Sequence, residues 1–110
     1  MSSCLVVLTT VPSPKVARHL ASVLLKKRIA SCVNISSGWE SHYWWKGKRE
    51  RAREIMLVIK TRAPLYTDLE KTIRKNHPYT IPEIIAISIQ KGSKDYLDWV
   101  IRETAQPRSR

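Results

Sequence analysis

Two cysteines, Cys4 and Cys32, and three histidines, His19, His42 and His77, are the thiol and imidazole donors in 110 residues. None falls in the C-x-x-C or H-x-x-x-H spacing of a closed structural zinc site, so any metal centre must be assembled from distant positions. Cys32 and His77 are the pair that the chemistry favours, because a thiolate with an imidazole suits copper or zinc better than magnesium. Plainer roles compete for both residues. Cys32 falls in an apolar strand, where a thiol is simply buried, and His77 precedes Pro78, where a histidine bonded to backbone can close a helix end. Nucleophilic catalysis has less support: a Cys–His pair can be drawn, but no glycine-rich elbow, orienting Asn or Asp, or oxyanion donor accompanies it. Gly38, Gly47 and Gly92 stand at unrelated spacings, so no phosphate-cradling loop is expected either. The chain is expected not to be an enzyme.

Twenty Lys and Arg against nine Asp and Glu give a formal charge of +11, which makes polyanions the first partners to weigh. The run Lys46-Gly47-Lys48-Arg49-Glu50-Arg51-Ala52-Arg53 adjoins Tyr43-Trp44-Trp45, placing cations for phosphates beside rings that can stack bases. Against that, the chain has no Phe and no Lys/Arg-Gly-Phe/Tyr-Gly/Ala-Phe-Val-x-Phe/Tyr string. A solvated hairpin is the plainer reading of the charges, and Trp39, Tyr43, Trp44 and Trp45 are read as interface residues. Nucleic acid is therefore not the expected partner, although a polyanion-binding module stays as the alternative function. No apolar run approaches the roughly 20 residues of a membrane-spanning helix. The start, Met1-Ser2-Ser3-Cys4, lacks a basic leader region, so a cytoplasmic protein with free thiols is expected.

The elements that must position these residues are well marked. Cys4 to Thr10 is an apolar run that suits a buried strand. Ser13-Pro14 caps a helix in which Val16, Ala17, Leu20, Val23 and Leu24 recur at helical spacing, with Lys26-Lys27-Arg28 at its end. Residues 32 to 60 read as one long antiparallel ribbon, bent or bulged near Gly38 and turned at Gly47. Pro64 opens a second helix carrying Leu65, Leu69 and Ile73, closed at His77-Pro78. Ile84 to Ile89 is a β-branched strand, and Gly92-Ser93 starts a third helix with Tyr96, Leu97, Val100 and Ile101. The order is βαββαβ plus a terminal helix, which predicts an α+β, ferredoxin-like sandwich with both main helices on one face of an antiparallel sheet. One domain is expected over residues 1–103, with a basic tail over 104–110. The surplus ribbon, with long strand edges and clustered aromatics, predicts an oligomer built through residues 39 to 60. Convergent polar groups near such a boundary make Glu54, Lys60, His77, Tyr79 and Glu83 candidates for lining an intersubunit cleft.

Six strings in order resemble the CutA family of small divalent-cation-tolerance proteins. They are Val7-Leu8-Thr9-Thr10-Val11-Pro12, Lys27-Arg28-Ile29-Ala30-Ser31-Cys32-Val33-Asn34, Ser41-His42-Tyr43-Trp44-Trp45-Lys46-Gly47-Lys48, Ile59-Lys60-Thr61, His77-Pro78-Tyr79-Thr80-Ile81-Pro82-Glu83 and Tyr96-Leu97-Asp98-Trp99. The resemblance implies a PII-like homotrimer in which the long ribbon of one subunit extends the sheet of the next. It implies tolerance of, or response to, divalent metal ions without catalysis, with copper as the cation bound by some members. Animal relatives are linked to acetylcholinesterase assembly, so a structural trimeric adaptor is a further alternative. Copper ligands proposed in the family match His77, from the His-Pro-Tyr string, and Cys32, from the Ala-x-Cys-Val-Asn string. The chain departs from some bacterial members in having Thr9 in place of a Cys and Asn76 in place of a second His. It also reads Arg49-Glu50-Arg51-Ala52-Arg53 where a more acidic segment is expected.

Overall fold

A computed structural model describes residues 3–105; of the expected basic tail, 106–110 lie outside the described residues. The chain runs β1 (Cys4–Val11), α1 (Pro14–Lys26), β2 (Cys32–Ile35), β3 (Trp39–Trp45), β4 (Lys48–Arg62), a short 3-10 turn (Ala63–Leu65), α2 (Tyr66–Lys75), β5 (Ile85–Ser88) and α3 (Lys94–Thr104). The sheet order is β2-β4-β1-β5, with β3 paired to β4 beyond the end of β2, and every pairing is antiparallel. This is the expected ferredoxin-like arrangement, with its second strand interrupted.

Local chemistry explains the helix ends. The Ser13 hydroxyl accepts the Val16 N–H at 3.2 Å, and Pro14 occupies the first turn, where its missing N–H leaves no gap. At the other end Arg28 takes a left-handed backbone (φ 60), while Ile29 N–H donates to the Leu24 carbonyl and Arg28 N–H to that of Leu25. That pair of bonds is the Schellman closure, normally built on glycine. Arg28 accepts the strain while its guanidinium reaches the Glu103 carboxylate at 2.9 Å, tying α1 to α3. The second helix starts as the 3-10 turn at Pro64 and not as a full α-turn, and Leu65, Leu69 and Ile73 are buried as their spacing predicts.

Strand pleating divides the sheet into two faces. Val7, Val11, Ile55, Leu57 and Ile59 face α1 and α2, joining Leu20, Leu24, Leu69 and Ile73 in the core. The alternate residues face the opposite way. There α3 covers one end: Arg62 donates to the Thr104 hydroxyl at 2.9 Å and to its carbonyl at 3.1 Å. Thr104 is buried within α3, so the last helix runs through the position where the sequence suggests a tail. Beyond α3 the second face is open, and Ile85 and Ile87, cross-strand from Leu8 and Val6, are about half exposed. The strand of Ile84 to Ile89 is shorter than expected; Ile89 lies just past it, its N–H still bonded to the Cys4 carbonyl at 3.0 Å.

The ribbon carries the bulge expected near Gly38. Ile35 pairs with Leu57 and Trp39 with Glu54, so three residues, 36–38, face two, 55–56. Ser36 fills the irregularity: its N–H donates to the Met56 carbonyl at 3.0 Å, and its hydroxyl accepts the Met56 N–H at 2.9 Å. At the tip Lys46 and Gly47 both have positive φ, 51 and 78, the pattern of a type I′ turn whose twist suits a two-residue hairpin.

Candidate functional site

Where β4 leaves the sheet body to enter the ribbon, a cleft of about 730 Å³ opens beside Thr10, Glu54 and the Pro78–Ile81 segment. Glu54 lies on the open face of β4, opposite Trp39, and is only 7% exposed. Such a carboxylate needs a donor. Tyr79 supplies it, its hydroxyl donating to Glu54 Oε2 at 2.8 Å. Burial, then the hydrogen bond and charge of Glu54, push the Tyr79 phenol up to about 12.

Tyr79 is held in turn by His77. Nε2–H of the buried imidazole donates to the Thr10 carbonyl at 2.8 Å, and Nδ1 accepts the Tyr79 N–H at 3.1 Å. One donated and one accepted bond fix the Nε2–H tautomer. The His77 and Tyr79 rings also pack at 4.9 Å between centroids. His77 is thus the brace that fastens the Pro78 loop to β1, and both of its nitrogens are occupied by backbone.

Of the residues named from the sequence, Glu54, Tyr79 and Glu83 line this cleft, along with Tyr43, Trp44 and Trp45 of β3. His77 stands behind it, and Lys60 is elsewhere. It shares the open face of β4 with Glu54, but six residues separate them, about 20 Å along a strand. The Lys60 ammonium donates instead to the Asn34 side chain. Cys32 belongs to that second locality: it pairs with Lys60 in register, and its thiol lies 3.8 Å from Asn34 Oδ1. Burial raises the Tyr96 phenol above its ordinary value, and the adjacent Cys32 thiol, with Cys4, adds to the effect. Cys32 forms no disulfide, and the Cys4 thiol lies 3.9 Å from the Leu97 carbonyl.

Cys32 and His77 are therefore not brought together within one chain. Cys32 sits beside Lys60 while His77 sits beside Thr10, whose β4 partner is Met56, four residues along the strand. Nor do His, Cys, Asp and Glu gather in threes around a common point among the described residues. The thiol–imidazole set read from the sequence does not fit a resident copper ion in a single subunit.

The four aromatics also divide. Cross-strand pairing sets Trp39, Tyr43 and Trp45 opposite Glu54, Glu50 and Lys48, on the open face of the sheet, whereas Trp44 pairs with Arg49 on the other. Trp44 nevertheless borders the cleft with Tyr43 and Trp45. Sequence reading missed Thr10, whose carbonyl anchors His77, and Ser41 and Thr80, which line the cleft; these are common residue types with no local signal. The cleft has one electrostatic peculiarity: among the described residues no Lys or Arg lines it, although the chain carries 20.

The same architecture is found in known proteins. Residues 5–103 match the model of the CutA1 divalent ion tolerance protein family. The divalent-cation tolerance protein CutA of Thermus thermophilus is 43% identical over 99 residues, 90% of this chain and 96% of that one. The chloroplastic CutA 1 of rice is 40% identical over 93% of this chain, which spans 58% of the longer plant protein. The crystal structure of CutA from Xylella fastidiosa superposes with a TM-score of 0.91 at 35% identity, covering 94% of this chain and 99% of that one. A family match over residues 5–103, and a relative 43% identical covered almost end to end, have one reading: the chain belongs to the CutA1 divalent ion tolerance protein family.

Proposed function

We propose that the protein acts without catalysis in tolerance of divalent cations, as a homotrimer assembled through the ribbon and the open face of the sheet. The observation that carries this reading is that free strand edges stand on opposite sides of the sheet. The edge of β5 away from β1 and the edge of β3 away from β4 are unpaired among the described residues, and they lie on opposite sides of the sheet. Opposite edges joined head to tail close a ring, and the half-exposed Ile85 and Ile87 beside one of them supply the apolar contact such a ring buries. The cleft at Glu54 and Tyr79 lies where the ribbon departs, so a neighbouring subunit would complete its wall.

The family name supports the cation role, and the geometry supports a non-catalytic one: the Cys32 thiol has Asn34 and Tyr96 beside it, and His77 is engaged by backbone. Native mass spectrometry tests the assembly, with three times the 12.7 kDa protomer as the expected value. A monomer would remove both the ring and the shared cleft. Thermal unfolding with copper, zinc or manganese tests the cation role, since a ligand selective for the folded state raises apparent stability. No shift with any of them would remove direct metal binding. Copper titration of Cys32→Ser and His77→Ala then asks whether either residue is a ligand in the assembled protein; unchanged affinity in both excludes them.

A further inference from the structure

The pleat of the ribbon sorts its charges in a way the sequence string conceals. Arg49, Arg51 and Arg53 alternate along β4, so all three project from one face, with Trp44 and His42 beside Arg49 and Arg51 on β3. Glu50, in the middle of the run, points to the other face, opposite Tyr43. The third cross-strand pair is Glu40 with Arg53, but that carboxylate is held by His42 at 2.7 Å. None of the three guanidiniums makes an ion pair among the described residues, whereas Arg28, Arg74 and Arg102 each have an acidic partner. Trp44, on the same face, is 71% exposed, the most open of the large apolar side chains.

From this face we infer a binding site for single-stranded nucleic acid, with Arg49, Arg51 and Arg53 on consecutive phosphates and the Trp44 ring stacked on a base. The spacing fits. Alternate residues of a strand are about 7 Å apart, close to the separation of successive phosphates along an extended strand, so the three guanidiniums match three phosphates over about 14 Å. The flat exposed ring is the feature that selects a single strand over a duplex, because stacking needs a base that is not already stacked. The three guanidiniums lie on the face opposite to the one bearing Trp39, Tyr43 and Trp45, while Trp44 and His42 also border the Glu54 cleft.

Fluorescence anisotropy of a labelled oligo(U), titrated with the full-length protein at several salt concentrations, tests the inference. Three phosphate contacts on a single strand give a slope of log affinity against log salt of about −2. The triple variant Arg49→Gln, Arg51→Gln, Arg53→Gln is expected to flatten that slope by about 2. Trp44→Ala is expected to keep the slope and weaken binding by roughly 5- to 150-fold, the loss of one stacked base. The control removes the same charge elsewhere, through Lys15→Gln, Lys26→Gln and Lys75→Gln on the exposed faces of the two main helices. All variants alter exposed side chains, and native mass and circular dichroism confirm that they fold. Equal losses in the two triple variants would reduce the effect to net charge and overturn the site. So would an unchanged affinity in Trp44→Ala, binding to duplex RNA as tight as to oligo(U), or no binding at all.

Discussion

Replacing Tyr79 with Phe keeps the ring that packs on His77 and removes only the hydroxyl that donates to Glu54. What remains is a carboxylate, 7% exposed, without that donor. Two routes give the size of the loss. Hydrogen bonds to charged groups contribute about 1.5–3 kcal/mol. The rise of the phenol from 10.0 to about 12 corresponds to about 2.7 kcal/mol in all, and because burial is its largest cause and the Glu54 bond only the next, that figure is an upper bound for the bond. Water reaches the half-buried ring and screens the interaction, so about 1–2 kcal/mol is expected at neutral pH. The sign follows from linkage: because the folded-state value is raised, the contribution is complete below pH 10 and is lost as pH rises through about 12. Urea unfolding of wild type and Tyr79→Phe at one protomer concentration measures the difference, and a double-mutant cycle with Glu54→Gln isolates the pair. Phenolate absorbance gives the titration directly. A Tyr79→Phe variant within about 0.3 kcal/mol of wild type at pH 7, with no coupling in the cycle, would refute the claim that this bond holds the carboxylate in place.

Three further outcomes are expected. Thr9 is fully buried and its hydroxyl has no partner among the described residues, so Thr9→Val is expected to stabilise the protein by about 1 kcal/mol, read as a higher urea midpoint with an unchanged slope. Gly47 at φ 78 already follows a strained Lys46; Gly47→Ala is expected to destabilise by about 1 kcal/mol, and Lys46→Gly to stabilise, both measured by urea unfolding. His77→Ala leaves the Thr10 carbonyl and the Tyr79 N–H without their partner and is expected to lose about 2–3 kcal/mol; copper stoichiometry, measured on the same folded variant, should be unchanged.

The backbone plan was readable because each element carries its own local cause. The Ser13-Pro14 cap, the four-residue spacing of Leu65, Leu69 and Ile73, and Gly47 at the ribbon tip are short-range signals, and each appears in the structure. The ferredoxin-like order followed from them by topology. The candidate site was readable only in part, because proximity across strands depends on register, which no local pattern encodes. Glu54 and Tyr79 meet because β4 and the Pro78 loop converge on Thr10, whereas Lys60, on the same strand and face, is carried away by six residues of rise. His77 looked like a ligand by chemistry, and its plainer role is the one the geometry displays. Trp44 and Trp45 are adjacent in sequence, and pleating sends them to opposite faces.

The extra residue at positions 36–38 gives the ribbon a joint. Deleting Ser37 would put three-against-two back to two-against-two, and the straightened register would still set Cys32 opposite Lys60 and Trp39 opposite Glu54. Every cross-strand neighbour would be kept, yet the bend and added twist that a bulge imposes would be gone. A lever with unchanged surfaces would then aim at a different point in space. One codon at this joint therefore controls where the arm reaches separately from what the arm presents. Relatives differing by a single insertion here would be expected to assemble with different pitch while keeping the same contacts along each arm.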